Sequence, residues 1–358
     1  MKLLFYIDTI GYGGAERVIA NLANQFYFKG YQCTVVTSFE KSPEYTLHDG
    51  VKRLSLNKTY IDNFYKRNFL LTSRLRKILK QERPDIAVVF LPEAIFRTSI
   101  ASLGLNHKLI FSVRNDPKKE YGSAIYKRLG SVLLPKADGI VFQTKDAQSC
   151  FSERIQKIST VIFNQVDSKF YEAKITGSRS GIVTTGRLAP QKNHKLLIDA
   201  FSLITDRITD NLTIYGEGFM MDDLKAYVKS KGLQNRVALP GPVQDVDKII
   251  SNNKLYVLSS DYEGLPNGLM EAMALGLPCV STDCPSGGPR ALFGTQQSCY
   301  LVPVNDSASL ANAIYEVVSS ETIMKVLSEE NRKRAMLFSP SEVILRWEEF
   351  IMSIYNKK

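Results

Sequence analysis

Two glutamates, Glu263 and Glu271, are the residues of this chain whose spacing points most directly to chemistry. They stand eight residues apart in residues 259–278, SSDYEGLPNGLMEAMALGLP, directly after an apolar run at residues 255–258. The pattern predicts one carboxylate in a loop after a strand and the other about one turn into the next helix. Such a place, at the carboxyl edge of a sheet, is where α/β proteins bind phosphorylated ligands. An ordinary strand–turn–helix with solvated glutamates gives the same pattern.

Two cations that could hold a phosphorylated ligand lie in residues 186–194, GRLAPQKNH. A strand-like run at residues 181–185 ends there, so Arg187 and Lys192 should emerge at the carboxyl edge of a sheet. An arginine fork and a lysine point charge suit a diphosphate, because charge-assisted hydrogen bonds are strong. Taken alone, they are better read as surface cations. Together with the glutamate segment, they are better read as ligands of a diphosphate.

A helix N-terminus provides the next candidate contact for a diphosphate. Pro266 suits the first helical position, because its missing N–H costs nothing there. The backbone N–H groups of Asn267, Gly268 and Leu269 would then point at the ligand with the helix dipole behind them. They would stabilise a departing diphosphate electrostatically, so no metal ion is expected. The one Asp-x-Asp pattern, residues 245–247, opens a predicted helix and is read as structural.

Apolar runs alternate with helical patterns along the chain, which predicts βαβ units and parallel sheets. The alternation restarts after a polar stretch at residues 167–180 and so divides the chain into residues 1–166, 167–340 and 341–358. Strand-like runs occur at residues 3–7, 33–37, 86–91, 109–113, 139–143, 158–163, 181–185, 212–215, 237–239, 255–258 and 279–281. Helical patterns include residues 15–28, 195–205, 220–231, 246–252, 266–275 and 341–355.

The composition excludes several classes of protein. Hydrophobic residues make up 44% and charged residues 23% of the 358 positions, as in soluble globular proteins. No run of eighteen apolar residues occurs, so we expect no membrane-spanning helix, and Asp8 comes too soon for a signal peptide. The cysteines show no paired metal spacing, which indicates a reducing cytoplasm and no structural zinc. They are Cys33, Cys150, Cys279, Cys284 and Cys299.

The excess positive charge lies in the first half of the chain. Residues 1–165 carry 25 Lys and Arg against 14 Asp and Glu, a net charge of +11, whereas residues 166–358 carry −1. Seven basic residues in residues 66–83, KRNFLLTSRLRKILKQER, interleave with Phe69 and other apolar residues at helical spacing. Such a helix could lie on an anionic membrane surface. Alternatively, its apolar stripe packs on the core and its basic face is exposed to solvent. No recognition motif favours nucleic acid.

A glycine turn in the first half completes the set of motifs. Residues 11–17, GYGGAER, follow the first strand-like run and open a helix. The third glycine of the dinucleotide fingerprint is missing at the proper spacing, which argues against a nicotinamide-dependent enzyme. Taken together, the motifs resemble retaining glycosyltransferases of family 4 (glycosyl transferases group 1), such as bacterial O-antigen, capsule and N-glycan sugar transferases. The resemblance implies the GT-B fold, with two facing Rossmann-like domains and a last helix that crosses back to the first.

The resemblance also assigns roles to the candidate residues. Glu271 binds the ribose hydroxyls, and Glu263 lies near the donor sugar, either orienting hydroxyls or stabilising an oxocarbenium-like transition state. Gly216 and Val243 line the nucleoside site. The residues implied to bind the donor diphosphate are Arg187, Lys192, Asn267, Gly268, Leu269, Gly13 and Gly14.

One residue departs from the family pattern. Many relatives have a histidine after the strand that corresponds to residues 109–113, and this chain has Arg114 there. An arginine cannot accept a proton. Arg114 would therefore bind diphosphate or sugar oxygens, and the leaving phosphate oxygen would take the proton of the acceptor. The alternatives for Arg114 are an acceptor-diphosphate ligand or plain surface charge.

The resemblance predicts a retaining enzyme that moves a hexose or N-acetylhexosamine from a UDP-sugar to a polyprenyl-diphosphate-linked glycan. It implies no cofactor, no metal and no nucleic acid partner. The protein would act in the cytoplasm, peripherally on the inner face of the cell membrane. The alternatives are a GDP-mannose- or UDP-glucose-dependent transferase of the same fold and a catalytically silent glycan-binding scaffold.

Overall fold

The computed structural model describes most of the chain, namely residues 1–11, 13–121, 130–173, 178–294 and 300–357. Tyr12 of the glycine turn, Gly177 of the polar stretch and Cys299 lie outside the described residues. Within these ranges, no helix is both long and apolar enough to cross a membrane.

The chain forms two compact units. The first unit consists of Met1–Asn164 together with Val343–Lys358, and the second is Gln165–Glu342. Each unit contains one parallel sheet, and helices join most of its successive strands. The chain is therefore an α/β protein, as its alternating pattern predicts.

The first unit is built on seven parallel strands. They are β1 (Lys2–Ile7), β2 (Gln32–Phe39), β3 (Lys52–Asn57), β4 (Ile86–Phe90), β5 (Lys108–Ser112), β6 (Gly139–Phe142) and β7 (Ser159–Val161). The helices between them are α1 (Gly14–Phe28), α2 (Phe64–Glu82), α3 (Pro92–Ala101), α4 (Pro117–Glu120), α5 (Lys145–Ser149) and α6 (Glu153–Lys157), with a 3-10 turn at Leu134–Lys136. The sheet order is β3-β2-β1-β4-β5-β6-β7.

The second unit has six parallel strands. They are β8 (Ile182–Thr185), β9 (Leu212–Tyr215), β10 (Val237–Gly241), β11 (Leu255–Leu258), β12 (Cys279–Thr282) and β13 (Leu301–Val302). Its helices are α7 (Lys169–Glu172), α8 (His194–Ser202), α9 (Met221–Ser230), α10 (Val246–Ile250), α11 (Asn267–Ala274), α12 (Gly288–Phe293), α13 (Ser307–Val318) and α14 (Glu321–Ala335), with 3-10 turns at Pro190–Lys192 and Met336–Phe338. The sheet order is β10-β9-β8-β11-β12-β13.

The order of strands reverses once in each sheet. In the first unit the reversal lies between β1 and β4, and in the second between β8 and β11. Helices that leave neighbouring strands there go to opposite faces, so a crevice opens at the carboxyl ends of the two strands. Ligands of doubly wound folds bind in this crevice. The loops after β8 and β11 contain Arg187, Lys192 and Glu263.

The last helix, α15 (Pro340–Tyr355), completes the first unit. Trp347 is fully buried, and its ring lies 6.1 Å from that of Phe90 at the end of β4. Glu348 accepts a hydrogen bond of 2.8 Å from Tyr31. The prediction that the last helix returns to the first domain is confirmed.

The basic helix predicted over residues 66–83 forms as α2, and its apolar residues divide between the core and the surface. Leu71, Leu75 and Leu79 are buried, whereas Phe69 is 79% exposed. Helical geometry explains the difference, because Phe69 lies two positions from Leu71 and so points away from the stripe that faces the sheet. Phe69 is therefore a surface residue.

A buried arginine at the reversal point connects several elements of the first unit. Arg97 of α3 is 2% exposed, and it donates to Asp8 Oδ1 and to Glu93 Oε2, both at 2.5 Å. Its Nε donates to Asn68 of α2 at 3.0 Å. Two carboxylates thus neutralise one buried guanidinium, which links the end of β1 to α2 and α3.

We expect Arg97→Met to lower the free energy of unfolding by about 2–3 kcal/mol, because breaking a buried ion pair leaves its carboxylates unpaired. The value is at the lower end of such losses, since Asp8 and Glu93 keep partial access to water. Urea denaturation measures it, with Lys333→Met as the matched control. Lys333 forms an exposed ion pair with Glu330, and its loss should cost no more than about 0.5 kcal/mol. Equal losses in the two variants would contradict the structural role of Arg97.

Candidate active site

A short ion pair joins the loops after β8 and β11. Lys192 Nζ lies 2.6 Å from Glu263 Oε1, and the side chains are 20% and 8% exposed. Ser260 also donates to Glu263 Oε1, at 2.7 Å. Within the described residues, the second carboxylate oxygen of Glu263 has one long contact, 3.5 Å, to Gln191 Nε2. The structure therefore brings together two of the predicted residues and holds Glu263 in one orientation.

The backbone around this ion pair is fixed by further hydrogen bonds between the two loops. Gln191 Nε2 donates to the carbonyl of Tyr262 at 2.9 Å, and the N–H of Asp261 donates to the carbonyl of Gln191 at 2.9 Å. Asn193, with a left-handed φ of 43°, accepts from Leu196 N at the start of α8 and donates to Asp261 Oδ1 at 2.7 Å. Sequence reasoning missed these supports, although the polar residues 259–261 directly after β11 are a signal for them.

Arg187 differs from Lys192 because its side chain has no partner among the described residues. Its side chain is exposed, and it makes no hydrogen bond or ion pair with the part of the chain that the structure describes. The carbonyl of Arg187 accepts from Ala189 N at 2.9 Å, which fixes the backbone of the loop. A guanidinium held on an ordered loop next to the Lys192–Glu263 pair is available to an anionic ligand.

Helix α11 presents its N-terminus at the same sheet edge. Pro266 is its N-cap, with φ −75° and ψ 104°, so the prediction that Pro266 is the first helical residue is wrong by one position. Its extended ψ ends the preceding turn, and the helix begins at Asn267. The first intrahelical bond runs from Met270 N to Pro266 O at 3.1 Å, so the N–H groups of Asn267, Gly268 and Leu269 have no acceptor within the helix.

α11 packs very closely on the sheet, which places Glu271. A Cβ on Gly268 would lie 2.3 Å from the hydroxyl of Tyr256, so only glycine allows this approach. Glu271, one turn further on, is 6% exposed. Burial raises the pKa of Tyr256, and the charge of Glu271 adds to that rise. Glu271 is thus a buried carboxylate within the electrostatic reach of β11.

The remaining residues predicted for the second unit follow β9 and β10. Gly216 N donates to Gly241 O at 3.0 Å, and a Cβ on Gly216 would lie 1.8 Å from the carbonyl oxygen of Gly186. Glycine is therefore required where the loops after β8 and β9 touch. Val243 is half-buried just beyond β10. The structure places nine predicted residues at the carboxyl edge of this sheet: Arg187, Lys192, Gly216, Val243, Glu263, Asn267, Gly268, Leu269 and Glu271.

Three predicted residues, Gly13, Gly14 and Arg114, belong to the first unit. Gly13 is the N-cap of α1, and Gly14 is its first residue. The carboxylate of Glu16 covers this turn, since a Cβ on Gly13 would lie 2.3 Å from Glu16 Oε2. Burial raises the pKa of Glu16.

Arg114 is buried without a neutralising carboxylate among the described residues. Its guanidinium lies 4.2 Å from the ring centre of Phe90 and 5.6 Å from that of Trp347. Nη1 donates to Asn164 Oδ1 at 2.8 Å, whereas Nε and Nη2 are buried with no hydrogen-bond partner in the described structure. Burial lowers the pKa of Arg114 to about 9. The residue is still a cation at neutral pH, with two donors left for a ligand.

Two family models match the chain. The model described as Glycosyltransferase Family 4 matches residues 12–170, and the one described as Glycosyl transferases group 1 matches residues 179–320. The chain belongs to the family 4 glycosyltransferases.

Two curated relatives come from Campylobacter jejuni. The N-acetylgalactosamine-N,N'-diacetylbacillosaminyl-diphospho-undecaprenol 4-alpha-N-acetylgalactosaminyltransferase is 28% identical over 360 residues, which covers 96% of this chain and 97% of the relative. The GalNAc-alpha-(1->4)-GalNAc-alpha-(1->3)-diNAcBac-PP-undecaprenol alpha-1,4-N-acetyl-D-galactosaminyltransferase is 26% identical over 370 residues and covers 99% of each chain. HepE of Anabaena, solved with UDP, superposes with a TM-score of 0.82 at 19% identity over 99% of this chain and 100% of that one. The fold of this glycosyltransferase is therefore GT-B.

The two aspartates of the Asp-x-Asp pattern are both paired with lysines in this glycosyltransferase. Asp245 is the N-cap of α10 and lies 3.1 Å from Lys248, and Asp247 lies 3.2 Å from Lys169. The described residues contain no group of three or more metal-binding side chains. The aspartates lie at the start of a helix, as predicted.

We expect His194, the first residue of α8, to make stability depend on pH. Burial, together with the nearby charge of Lys192, lowers its pKa to about 4. An unfolded histidine titrates at about 6.5, so between these values the unfolded state binds more protons and stability falls as the pH falls. The full effect is about 3 kcal/mol. Urea denaturation from pH 7 to pH 4 measures how the free energy of unfolding depends on pH, and this dependence should be smaller in His194→Phe than in wild type. The same dependence on pH in both proteins would contradict the role of His194.

We expect Arg114→Met to stabilise the protein and to lower sugar transfer. Removing a buried, unneutralised cation should raise the free energy of unfolding by about 1–4 kcal/mol, and Asn164 keeps its bond of 2.8 Å from Gln143. Arg97→Met, at a buried arginine that is neutralised, shifts stability in the opposite direction and is the matched control. A loss of stability in Arg114→Met would show that the guanidinium is structural.

Proposed function

We propose that this glycosyltransferase moves a hexose or N-acetylhexosamine, such as GalNAc, GlcNAc or Gal, from a UDP-sugar to a polyprenyl-diphosphate-linked glycan, with retention at the anomeric carbon. The observation that carries the proposal is the Lys192–Glu263 ion pair of 2.6 Å at the strand reversal of the second unit, beside the exposed Arg187. Both Campylobacter relatives are named for undecaprenyl-diphosphate-linked substrates, and HepE binds UDP, which supports the choice of acceptor and donor.

The donor would lie along the carboxyl edge of the second sheet. Arg187 and Lys192 neutralise its diphosphate, and the N–H groups at the start of α11 bind the phosphate oxygens. Glu271 accepts hydrogen bonds from the ribose hydroxyls, with the nucleoside between Gly216 and Val243. These cations and the helix dipole supply the positive charge that a departing diphosphate requires, so the proposed reaction needs no metal ion.

Glu263 would act at the donor sugar through charge and orientation. Lys192 and Ser260 both bind its Oε1, which leaves Oε2 for a sugar hydroxyl. In the reaction, the bond between the anomeric carbon and the diphosphate oxygen breaks, and its electron pair leaves with UDP. The acceptor oxygen forms its bond to the anomeric carbon on the same face, and its proton passes to the departing phosphate oxygen. The carboxylate stabilises the positive charge that the sugar ring develops.

Arg114 would bind an anionic oxygen of a substrate phosphate, in place of the family histidine. Its Nε and Nη2 have no protein acceptor among the described residues. The attraction between its cation and an anion is strong, because the site is shielded from water. Since it cannot accept a proton, it leaves the proton transfer to the phosphate of the donor.

The lipid-linked acceptor would place the enzyme at the cytoplasmic face of the cell membrane, as a peripheral protein. Both Campylobacter relatives carry undecaprenol in their names. A polyprenyl chain stays in the bilayer, so the enzyme has to reach its diphosphate and glycan at the membrane surface.

We expect Glu263→Gln to lower the turnover number about 100-fold or more, because the amide keeps the hydrogen bonds of the carboxylate but not its charge. Glu271→Gln should instead raise the KM for the UDP-sugar, since it acts on the ribose. Transfer from radiolabelled UDP-sugars to an undecaprenyl-diphosphate glycan measures both, with the exposed Lys225→Met as control.

The stereochemistry of the product is read from the coupling of its anomeric proton by NMR. The proposal requires the anomeric configuration of the donor. An inverted product contradicts the mechanism, and turnover within a few-fold of wild type in Glu263→Gln contradicts the role of Glu263. A thermal-shift panel of UDP- and GDP-sugars identifies the donor, because binding stabilises the folded state.

A further inference from the structure

Four aromatic side chains lie exposed at the start of α2. They form what we name the aromatic patch: Tyr60 (61% exposed), Phe64 (53%), Tyr65 (83%) and Phe69 (79%). Exposed apolar residues scattered singly need no explanation, whereas a contiguous group marks an interaction surface. These four fall within ten residues of sequence, which makes the surface a candidate for a partner.

Tyr65 and Phe69 are the outermost members of the patch. They are one helical turn apart, so their rings lie on the same face of α2. Tyr60 and Phe64 are held from beneath, since the guanidinium of Arg67 lies 4.7 Å and 5.5 Å from their ring centres. The rings of Tyr60 and Phe64 thus contact Arg67, whereas the rings of Tyr65 and Phe69 are exposed to solvent.

The same helix carries positive charge and almost no negative charge. Residues 64–81 contain no Asp or Glu, and Glu82 is paired with Lys52 at 2.7 Å. Half of the basic side chains in these residues donate hydrogen bonds to backbone carbonyls, which hold them against the protein: Arg67, Arg74 and Arg76. Lys66, Lys77 and Lys80 are exposed. The surface of α2 therefore combines three exposed lysines with the exposed aromatic rings.

We propose that Tyr65 and Phe69 insert into the interface of an anionic lipid bilayer, with α2 lying along the membrane surface and Lys66, Lys77 and Lys80 facing lipid phosphates. Aromatic rings favour the boundary between headgroups and acyl chains, and lysines favour an anionic surface. A helix with both on its outer surface is suited to lie in that plane. The inference gives a physical basis to the membrane location that the proposed function requires, and it rests on that function only for the identity of the lipid substrate.

A tryptophan at position 69 reports insertion directly. Trp347 is the only tryptophan of the chain and is fully buried, so its emission should not respond to lipid. We expect Phe69→Trp emission to shift to shorter wavelength on vesicles of phosphatidylcholine with phosphatidylglycerol, and to be quenched by lipids brominated in their acyl chains. Phe219→Trp is the matched control, because Phe219 is 80% exposed in the second unit. Vesicle binding without any change at position 69 would overturn the proposal.

Vesicle flotation separates the contributions of rings and charges. Tyr65→Ser/Phe69→Ser should weaken binding at least about tenfold at all salt concentrations, equivalent to about 1.4 kcal/mol. Lys77→Ser/Lys80→Ser should weaken it mainly at low salt. Unchanged binding in the aromatic double variant would overturn the proposal. So would self-association of the wild type, in the absence of lipid, that this variant abolishes, since the patch would then be an interface between copies.

Turnover with a short-chain, water-soluble acceptor distinguishes this inference from the proposed function. The aromatic double variant should match wild type with that acceptor and lose activity with undecaprenyl-diphosphate glycan in vesicles. Insertion at position 69 in a protein that transfers no sugar would contradict the proposed function and support the membrane patch. Equal activity of both proteins on vesicles would contradict the patch.

Discussion

The ion pair between Lys192 and Glu263 is the interaction on which the candidate site depends. Parallel strands with helical crossovers bring all carboxyl ends to one edge of a sheet, and the reversal of strand order opens a crevice between β8 and β11. The pair spans that crevice at 2.6 Å with little access to water. Separating two such charges would leave each without its partner in a low dielectric, so the pair fixes both loops before a ligand arrives. Arg187, the start of α11 and Glu271 are positioned around it.

Two buried arginines of the first unit, Arg97 and Arg114, differ in whether carboxylates neutralise them. Arg97 donates to two carboxylates at 2.5 Å and fastens three elements together. Arg114 is also buried, and it has two aromatic rings, one amide oxygen and no carboxylate around it among the described residues. A cation buried without an anion destabilises the fold, and such groups are expected where a substrate supplies the missing charge.

Much of the fold was predictable because its signals are local. Parallel strands covered on both faces have to be apolar throughout, so β1, β4 and β11 could be read from their runs. β3 was missed, since Lys52 and Arg53 open an edge strand whose exposed side tolerates charge. The positions of the motif residues after the strands of the second unit were also predictable, because a loop after a strand can be recognised from its sequence. Ser260 and Gln191 were missed, since their bonds to Glu263 depend on how two distant loops meet. The sequence left open whether Phe69 faces the core or the surface, because apolar character alone does not tell a core ring from a surface ring.

The central claim is that the crevice between β8 and β11 binds a nucleoside diphosphate, with the exposed guanidinium of Arg187 contributing positive charge beside the Lys192–Glu263 pair. Calorimetric titration of UDP into wild type, Arg187→Met and Lys333→Met tests it most directly. We expect Arg187→Met to weaken UDP binding at least about tenfold, or 1.4 kcal/mol, while Lys333→Met, at an exposed lysine of α14, binds as wild type does. Equal affinities in all three proteins would contradict the claim.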